Sequence, residues 1–332
     1  MMIIFITVLI AMVIFAIVYA KVFSNNKKVQ KRLEEHCPDR PTAFIGDTAT
    51  ETIRREKVFK TIKYIISYTF LGIFAIFMII PFYWMLATSL KTAAEIELPR
   101  PTFFPHVLAL SNYPAAIERL HAGRLILNTL IVGFFSTLGT LVTTVLAAFA
   151  FSRIKFFGRE FIFTLFLGTM MIPGEMMVIT NYITVSRLHG IDTYWAMIVP
   201  FLISVYYIYL LRQNFRQIPN ELYYAAKVDG TSDFKYLLKV MIPIAMPTLI
   251  TITILKMMGA WNSYVWPMMV TKSADMRLIT TGLREAFTNE DGRTAQGLQM
   301  AGSAVVTFPL LLVFIFLRKY IIRGVSRSGI KG

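Results

Sequence analysis

The sequence predicts an all-α, polytopic membrane helical bundle, with a core of six spans and one extra span at the N-terminal end. Three observations predict it. Hydrophobic residues make up 56% of the chain and charged residues only 16%, with a mean hydropathy of +0.59, which leaves too little polar surface to cover a water-soluble globule. Seven apolar stretches are long enough, or nearly so, for the roughly 20-residue helix that crosses a bilayer. The Lys and Arg residues fall mainly in alternate connecting segments, the pattern of a chain whose positive loops stay on the inner side.

The spans are expected at 3–20, 65–88, 127–151, 161–182, 194–211, 248–269 and 304–317, the last extended N-terminally by Met300, Ala301, Gly302 and Ser303. With the N-terminus outside, the inner segments hold eleven positive residues over 21–63, three over 153–159, five over 212–239 and five over 318–331. The outer ones hold four over 91–124, Arg187 alone, and four over 272–293. This asymmetry sets the orientation, with the C-terminus inside.

Residues 1–20 have the length of a signal peptide or an anchor. No Lys or Arg precedes Lys21, and Lys27, Lys28, Lys31 and Arg32 follow, so an uncleaved span fits better. Residues 21–63 then form a polar inner linker, in which Pro38 and Pro41 oppose one continuous helix. A spanning domain over 64–323 carries an inner loop at 212–243, and 324–332 form an inner tail. Pro81, Pro173, Pro200, Pro247, Pro267 and Pro309 fall in or beside spans and are expected to kink them.

The formal charge of +15 does not imply nucleic acid, because the cations sit between apolar runs beside a bilayer. Cys37 is the one cysteine, so no intramolecular disulfide forms. No Cys or His cluster has metal-ligand spacing, and His36, His106, His121 and His189 read as solvated side chains.

The most informative stretch is 218–243. Asn220 is expected to cap a short helix with Glu221 in its first turn, Gly230 to end it in the left-handed conformation, and Thr231 or Ser232 to cap the next. Ala225 and Ala226 leave that helix slim, and Leu222 on the same side can fill a pocket. Two readings stand at this point: a helix enclosed by another protein's cleft, or one resting on lipid with Tyr223 and Tyr224 among the headgroups.

The spaced set Pro219, Glu221-Leu222, Ala225-Ala226, Asp229-Gly230 and Ile242-Pro243 resembles the EAA loop of permease subunits in binding-protein-dependent ATP-binding-cassette importers. Asp before Gly is similar to the maltose-type, carbohydrate-uptake branch. The resemblance extends to Ser89-Leu90-Lys91 with Pro99 and Asn112-Tyr113, Phe151-Ser152-Arg153, Met170 to Pro173, Asp192-Thr193-Tyr194, Trp261-Asn262, Trp266-Pro267 and the tail from Tyr320 to Gly332. Two departures are visible. Tyr224 stands where the family has the Glu that gives the loop its name, and the family's shorter permeases have six spans rather than seven.

The resemblance implies a saccharide-importing permease, with a non-sugar solute as the alternative. It would work with a second permease, two cytoplasmic ATPase subunits and an extracytoplasmic solute-binding protein. Residues 221–230 would be the coupling helix in an ATPase cleft, with Ile242 and Pro243 closing the motif and the tail at 328–332 reaching the ATPase surface. ATP and Mg would belong to the ATPase and no cofactor to this chain, which has no Gly-rich loop ending in Gly-Lys-Ser or Gly-Lys-Thr. A membrane enzyme is disfavoured by the lack of a paired-carboxylate, Ser/His or metal-ligand constellation, and a secondary transporter by the lack of visible internal duplication.

A saccharide pathway calls for aromatic faces and polar side chains. Tyr206, Tyr207 and Tyr209 on the fifth span, and Trp261, Asn262, Ser263 and Tyr264 on the sixth, are candidates, although such aromatics also serve as interfacial anchors. Glu175 and Lys256 are ionisable groups within spans. A charge at the bilayer centre costs about 3 kcal/mol on insertion scales, so each should find a partner. Pairing with each other, with carbonyls or with the second permease is one reading; contact of Lys256 with an acidic sugar is the other.

Overall fold

The computed structural model describes residues 46–288 and 296–326, with side chains over 59–287 and 296–317. The expected span at 1–20, the linker over 21–45 and the tail from 327 lie outside the described residues. Every described element is helical, the short helices α2 (Ala93–Ile96), α3 (Asn112–Arg119) and α13 (Ile279–Thr288) among them. Contacts divide the chain into residues 1–78 and 79–332.

In the first unit the described residues form one helix, α1 (Gly46–Ser89), which continues into the second. Residues 46–63, assigned to the linker by sequence, are thus helical. Tyr64, Ile65, Tyr68, Ile73 and Ile76 on it are all exposed. Its most apolar stretch buries nothing against the other described residues, and an apolar face of that kind is suited to lipid or to another subunit.

The second unit is built around α4 (Ala122–Arg153), which packs against α8 (Val205–Arg216) and α11 (Ile242–Trp261). Its buried face is rich in small and hydroxyl-bearing residues, including Gly133, Ser136, Thr137, Thr140, Thr144 and Ala148. Such residues let helix backbones approach closely where lipid provides no hydrophobic drive. The approach is tight at Gly139, where an added Cβ would lie 2.4 Å from a Leu202 methyl.

Among the described residues four helices are long and apolar enough to cross a membrane, or six if two bent pairs each count as one span. One pair is α5 (Arg159–Thr169) with the segment from Gly174 through α6 (Val178–Arg187), bent by 85°; the other is the segment from α7 (Tyr194–Ile198) to Phe201, followed by α8, bent by 45°. Pro173 lies at the first break and Pro200 in the 3-10 turn Val199–Phe201 just before the second, whereas Pro81, Pro247 and Pro309 are accommodated inside continuous helices. The 161–182 span is therefore a broken one: proline disfavours helical geometry in the residue before it and lacks an N–H to continue the ladder.

The span expected at 248–269 is shifted. It runs from α10 (Asp233–Tyr236) through a π-helical turn (Leu237–Met241) into α11, and stops at Trp261. The wide turn relieves the clash that the Pro243 ring would make with the carbonyl four residues back. Beyond Trp261 the helix is interrupted before α12 (Val265–Val270). Pro267 cannot donate to the Ser263 carbonyl, which takes the Thr280 hydroxyl instead. The final span begins earlier than its apolar count suggested, at Gln296, and ends at Leu317 as expected, while its helix α14 (Gln296–Ser326) continues beyond.

Candidate functional site

Asn220 opens the helix α9 (Asn220–Val228), but Pro219 occupies the cap position and no side-chain cap bond forms. The expected Asn220 cap gives way to a charge-assisted bond, because Arg153 Nη1 donates to Asn220 Oδ1 at 2.8 Å. Arg153, at the end of α4 and 7% exposed, also donates through Nη2 to the carbonyls of Phe215 and Ile218 at 2.9 and 2.6 Å. One buried guanidinium thus holds the end of α8 and the start of α9 together. Arg212 reinforces the same region, bonding the Phe151 carbonyl at 3.0 Å, pairing with Glu160 at 2.7 Å and stacking over the Phe163 ring.

The far end of α9 closes in a Schellman motif. The Thr231 N–H donates to the Ala226 carbonyl at 2.8 Å and the Gly230 N–H to the Lys227 carbonyl at 3.1 Å, with Gly230 at φ +71°. Ser232 accepts from the Lys235 N–H and caps α10. Across the turn, the Tyr223 hydroxyl and Lys227 Nζ meet Asp233 Oδ1 at 2.7 and 2.8 Å. The Asp233 carboxylate, then burial and the Tyr223 ring, act on Lys227 with a net upward pKa shift; burial first and Asp233 second raise that of Tyr223.

These bonds decide which face of α9 is presented. Tyr223 and Ala226 pack onto a core of Phe149, Leu211, Phe215, Ile218, Tyr236 and Met241, and Ile242 joins the same cluster. Glu221, Leu222, Tyr224, Ala225, Asp229 and Gly230 are exposed, as is Pro243. Ala226 thus faces inward, away from Ala225. Val228, 88% exposed, completes the outward apolar face and was missed by sequence reasoning; its spacing of three from Ala225 was the available signal.

The second constellation is a cavity of about 350 Å³ at the bend between α7 and α8, where α4, α11 and α12 converge. Lys256, half-buried, lines it and donates to the Phe201 carbonyl at 2.8 Å. Ser136, Ser204, Tyr207, Ser263 and Trp266 supply further lining. Of these, Ser136 and Ser204 were not picked out from the sequence, and Trp266 only within the family resemblance and not as a pathway residue, because only the bend brings them to one place.

The other pathway candidates do not line this cavity. Trp261 is 8% exposed and packs in the core, its indole N–H directed at the Val306 carbonyl. Asn262 ends α11, its amide returning to the Met258 carbonyl. Tyr206 and Tyr209 are exposed. Glu175 and Lys256 do not pair: Glu175 is exposed in the turn after Pro173.

A third set of contacts lies at the loop before α7. Asp192 Oδ1 accepts the backbone N–H groups of Lys272 and Ser273 at 2.9 and 3.0 Å, and its own N–H donates to the Val270 carbonyl at 2.7 Å. Burial opposes ionisation of Asp192, but these donors outweigh it and hold the pKa below the usual carboxylate value.

Comparison with known proteins agrees with this architecture. Residues 141–327 match the family model described as "Binding-protein-dependent transport system inner membrane component". The chain is 28% identical to the arabinooligosaccharides transport system permease protein AraQ of Bacillus subtilis, over 76% of this chain and 90% of that one. It is also 28% identical to the sn-glycerol-3-phosphate transport system permease protein UgpE of Brucella abortus (75% and 90% covered). The same identity relates it to the polygalacturonan/rhamnogalacturonan transport system permease protein YtcP of Bacillus subtilis (80% and 96% covered). A crystal structure of a bacterial ABC transporter involved in the import of the acidic polysaccharide alginate contains a chain with the same fold, at a TM-score of 0.70 and 24% identity, covering 80% of this chain and 98% of that one.

Proposed function

The chain belongs to the family of binding-protein-dependent transport system inner membrane components, and from that premise we propose that it forms half of a saccharide pathway driven by a separate ATPase. The observation that carries this reading is the presentation of α9, whose outward face of Leu222, Tyr224, Ala225 and Val228 is unpacked while both its ends are fastened to the spans. A helix mounted in this way transmits a push from a docked partner instead of absorbing it.

In this reading Glu221, Leu222, Ala225, Asp229 and Gly230 meet a cleft of a cytoplasmic ATPase, where ATP and Mg are bound. Ala226 and Ile242 belong to the mount, and Pro243 follows, exposed, in the first turn of α11. Closure of two ATPase subunits moves α9, and through Arg153 the ends of α4 and α8, in rigid-body alternating access. A second permease completes the pathway and an extracytoplasmic solute-binding protein delivers the solute. The loop bearing α9 is cytoplasmic, as the distribution of positive residues supports. AraQ and YtcP, named for oligosaccharide and polysaccharide transport, support a saccharide as solute.

Purification of the chain from its native membrane tests the assembly. An ATPase subunit and a second permease are expected to accompany it. Ala225→Trp should abolish ATP-driven uptake while the spans still insert. Recovery without any ATPase, or normal uptake by that variant, would overturn the reading.

A further inference from the structure

Lys256 is not explained by the coupling machinery. Along α11 it stands between Ile254, which is buried, and Gly259, in a segment otherwise made of apolar or small residues. Its ammonium group meets the Phe201 carbonyl at 2.8 Å, a group freed from regular helical bonding by the bend after α7. That carbonyl already accepts the Thr140 hydroxyl at 3.1 Å, and the neighbouring Leu202 carbonyl accepts Thr143 at 2.6 Å. The broken helix therefore has hydroxyl partners and does not require a charge. An ammonium carries three donors, and the Phe201 carbonyl occupies one.

Among the described residues the cavity beside it is lined by no carboxylate, and Lys256 is the one charged side chain in its lining. Ser136, Ser204, Tyr207 and Ser263 are among the residues that line the space, and Trp266 is held edge-on to Phe201 at 5.6 Å with its indole N–H bonded to the Ala196 carbonyl at 2.9 Å. A volume of about 350 Å³ lies in the range of small-molecule sites. Unwound backbone inside a membrane domain is tolerated where it lines such a cavity, and broken helices of this kind frame solute sites.

We propose that this cavity is a binding site for an anionic saccharide, with Lys256 as counter-ion to its carboxylate or phosphate and the surrounding hydroxyls meeting the sugar hydroxyls. The proposal rests on the permease reading and assigns a charge class to the solute. It places a solute site in this subunit, on α11 and the α7–α8 bend. An ammonium is a point charge and does not select between the two kinds of anion, so the probes must do so.

The test uses the complete transport complex in lipid nanodiscs, without the solute-binding protein, titrated calorimetrically with digalacturonate, with its methyl ester and with galactose 6-phosphate. A charge-assisted bond lost from a partly buried site corresponds to roughly 10- to 100-fold in affinity. At least one anionic probe should bind the unaltered complex more tightly than the ester by about that factor, and the tighter of the two identifies the anion. Lys256→Met should remove the preference, weakening the anionic probe by about that factor more than the ester, and Lys256→Arg should restore most of it.

Failure of both anionic probes to bind the unaltered complex more tightly than the ester would overturn the proposal, as would an equal loss for all three probes in Lys256→Met. The comparison on the unaltered complex decides the matter even if the Met variant fails to assemble. Co-purification of the ATPase, read on the same preparation, reports on the permease reading separately: an intact complex without charge preference sinks this inference alone.

Discussion

Arg153 Nη1 lies 2.8 Å from Asn220 Oδ1, and this contact joins the longest buried helix of the second unit to the first residue of the proposed coupling helix. The same guanidinium satisfies two carbonyls at the end of α8 and in the turn that follows. Arg153→Met would leave the Phe215 carbonyl with its backbone donor from Ile218 but strip the Ile218 carbonyl of the guanidinium bond in the interior, at about 1–3 kcal/mol. The expected outcome is a lowered unfolding temperature and loss of ATP-driven uptake. Lys at this position should recover little, because one ammonium cannot reproduce the planar fork. Wild-type uptake by Arg153→Met would show that the clamp is dispensable.

Gly230 ends α9 at φ +71°, and an added Cβ there would meet nothing within 4 Å. The cost of substitution is conformational, about 1–2 kcal/mol for an ordinary L-residue held in the left-handed region. Gly230→Val should therefore slow uptake more than Gly230→Asn, since Asn visits that region readily. Equal rates for the two variants, measured in proteoliposomes, would contradict this account.

Val228 is 88% exposed on the outward face of α9. Val228→Arg should leave the unfolding temperature within about 0.5 kcal/mol of the original in stability terms, yet weaken recovery of the ATPase on co-purification. A fall in both together would mean that Val228 has a packing role instead.

Tyr223→Phe retains the ring contact with Tyr236 and deletes the bond to Asp233. A loss of about 1 kcal/mol should appear as faster amide exchange over residues 229–233, with the spans unaffected. Unchanged exchange there would place the rigidity of the turn in the Schellman motif alone.

Asp192 gives a pH signature. Its folded-state pKa is depressed, so its contribution to stability is present above the usual aspartate value of about 4 and is lost as pH falls through the folded value. Thermal unfolding of the purified protein should show a decrease below about pH 4 that is shallower in Asp192→Asn. Parallel curves would assign the acid sensitivity to other carboxylates.

Much of the spanning core was legible because bilayer thickness imposes a length on every apolar run, and that constraint is local. The helix, turn and helix around Gly230 were legible for the same reason: glycine in the left-handed region and Ser232 as a cap are decided within a few residues. The misplacements have equally specific causes. The Asn220 cap failed because a charged donor from α4, remote in sequence, competes for the same oxygen. The 248–269 span was shifted because Pro243 is absorbed by a π-helical turn, and because the Ser263 carbonyl finds Thr280 from another element. Trp261 followed the rule for aromatics near span ends, but lies in a core that residues of α14 complete.

By itself the sequence determined the all-helical membrane class, the approximate spans and the motif that places the chain among the permeases. These depend on composition, period and short-range spacing. Only the tertiary structure decided that Ala226 turns inward while Val228 turns outward, that Arg153 fastens α9 to the spans, and that Lys256 meets Ser136, Tyr207 and Ser263 around one cavity. Those outcomes depend on how α4, α8 and α11 pack and where prolines bend the chain, which brings together side chains that no local spacing relates.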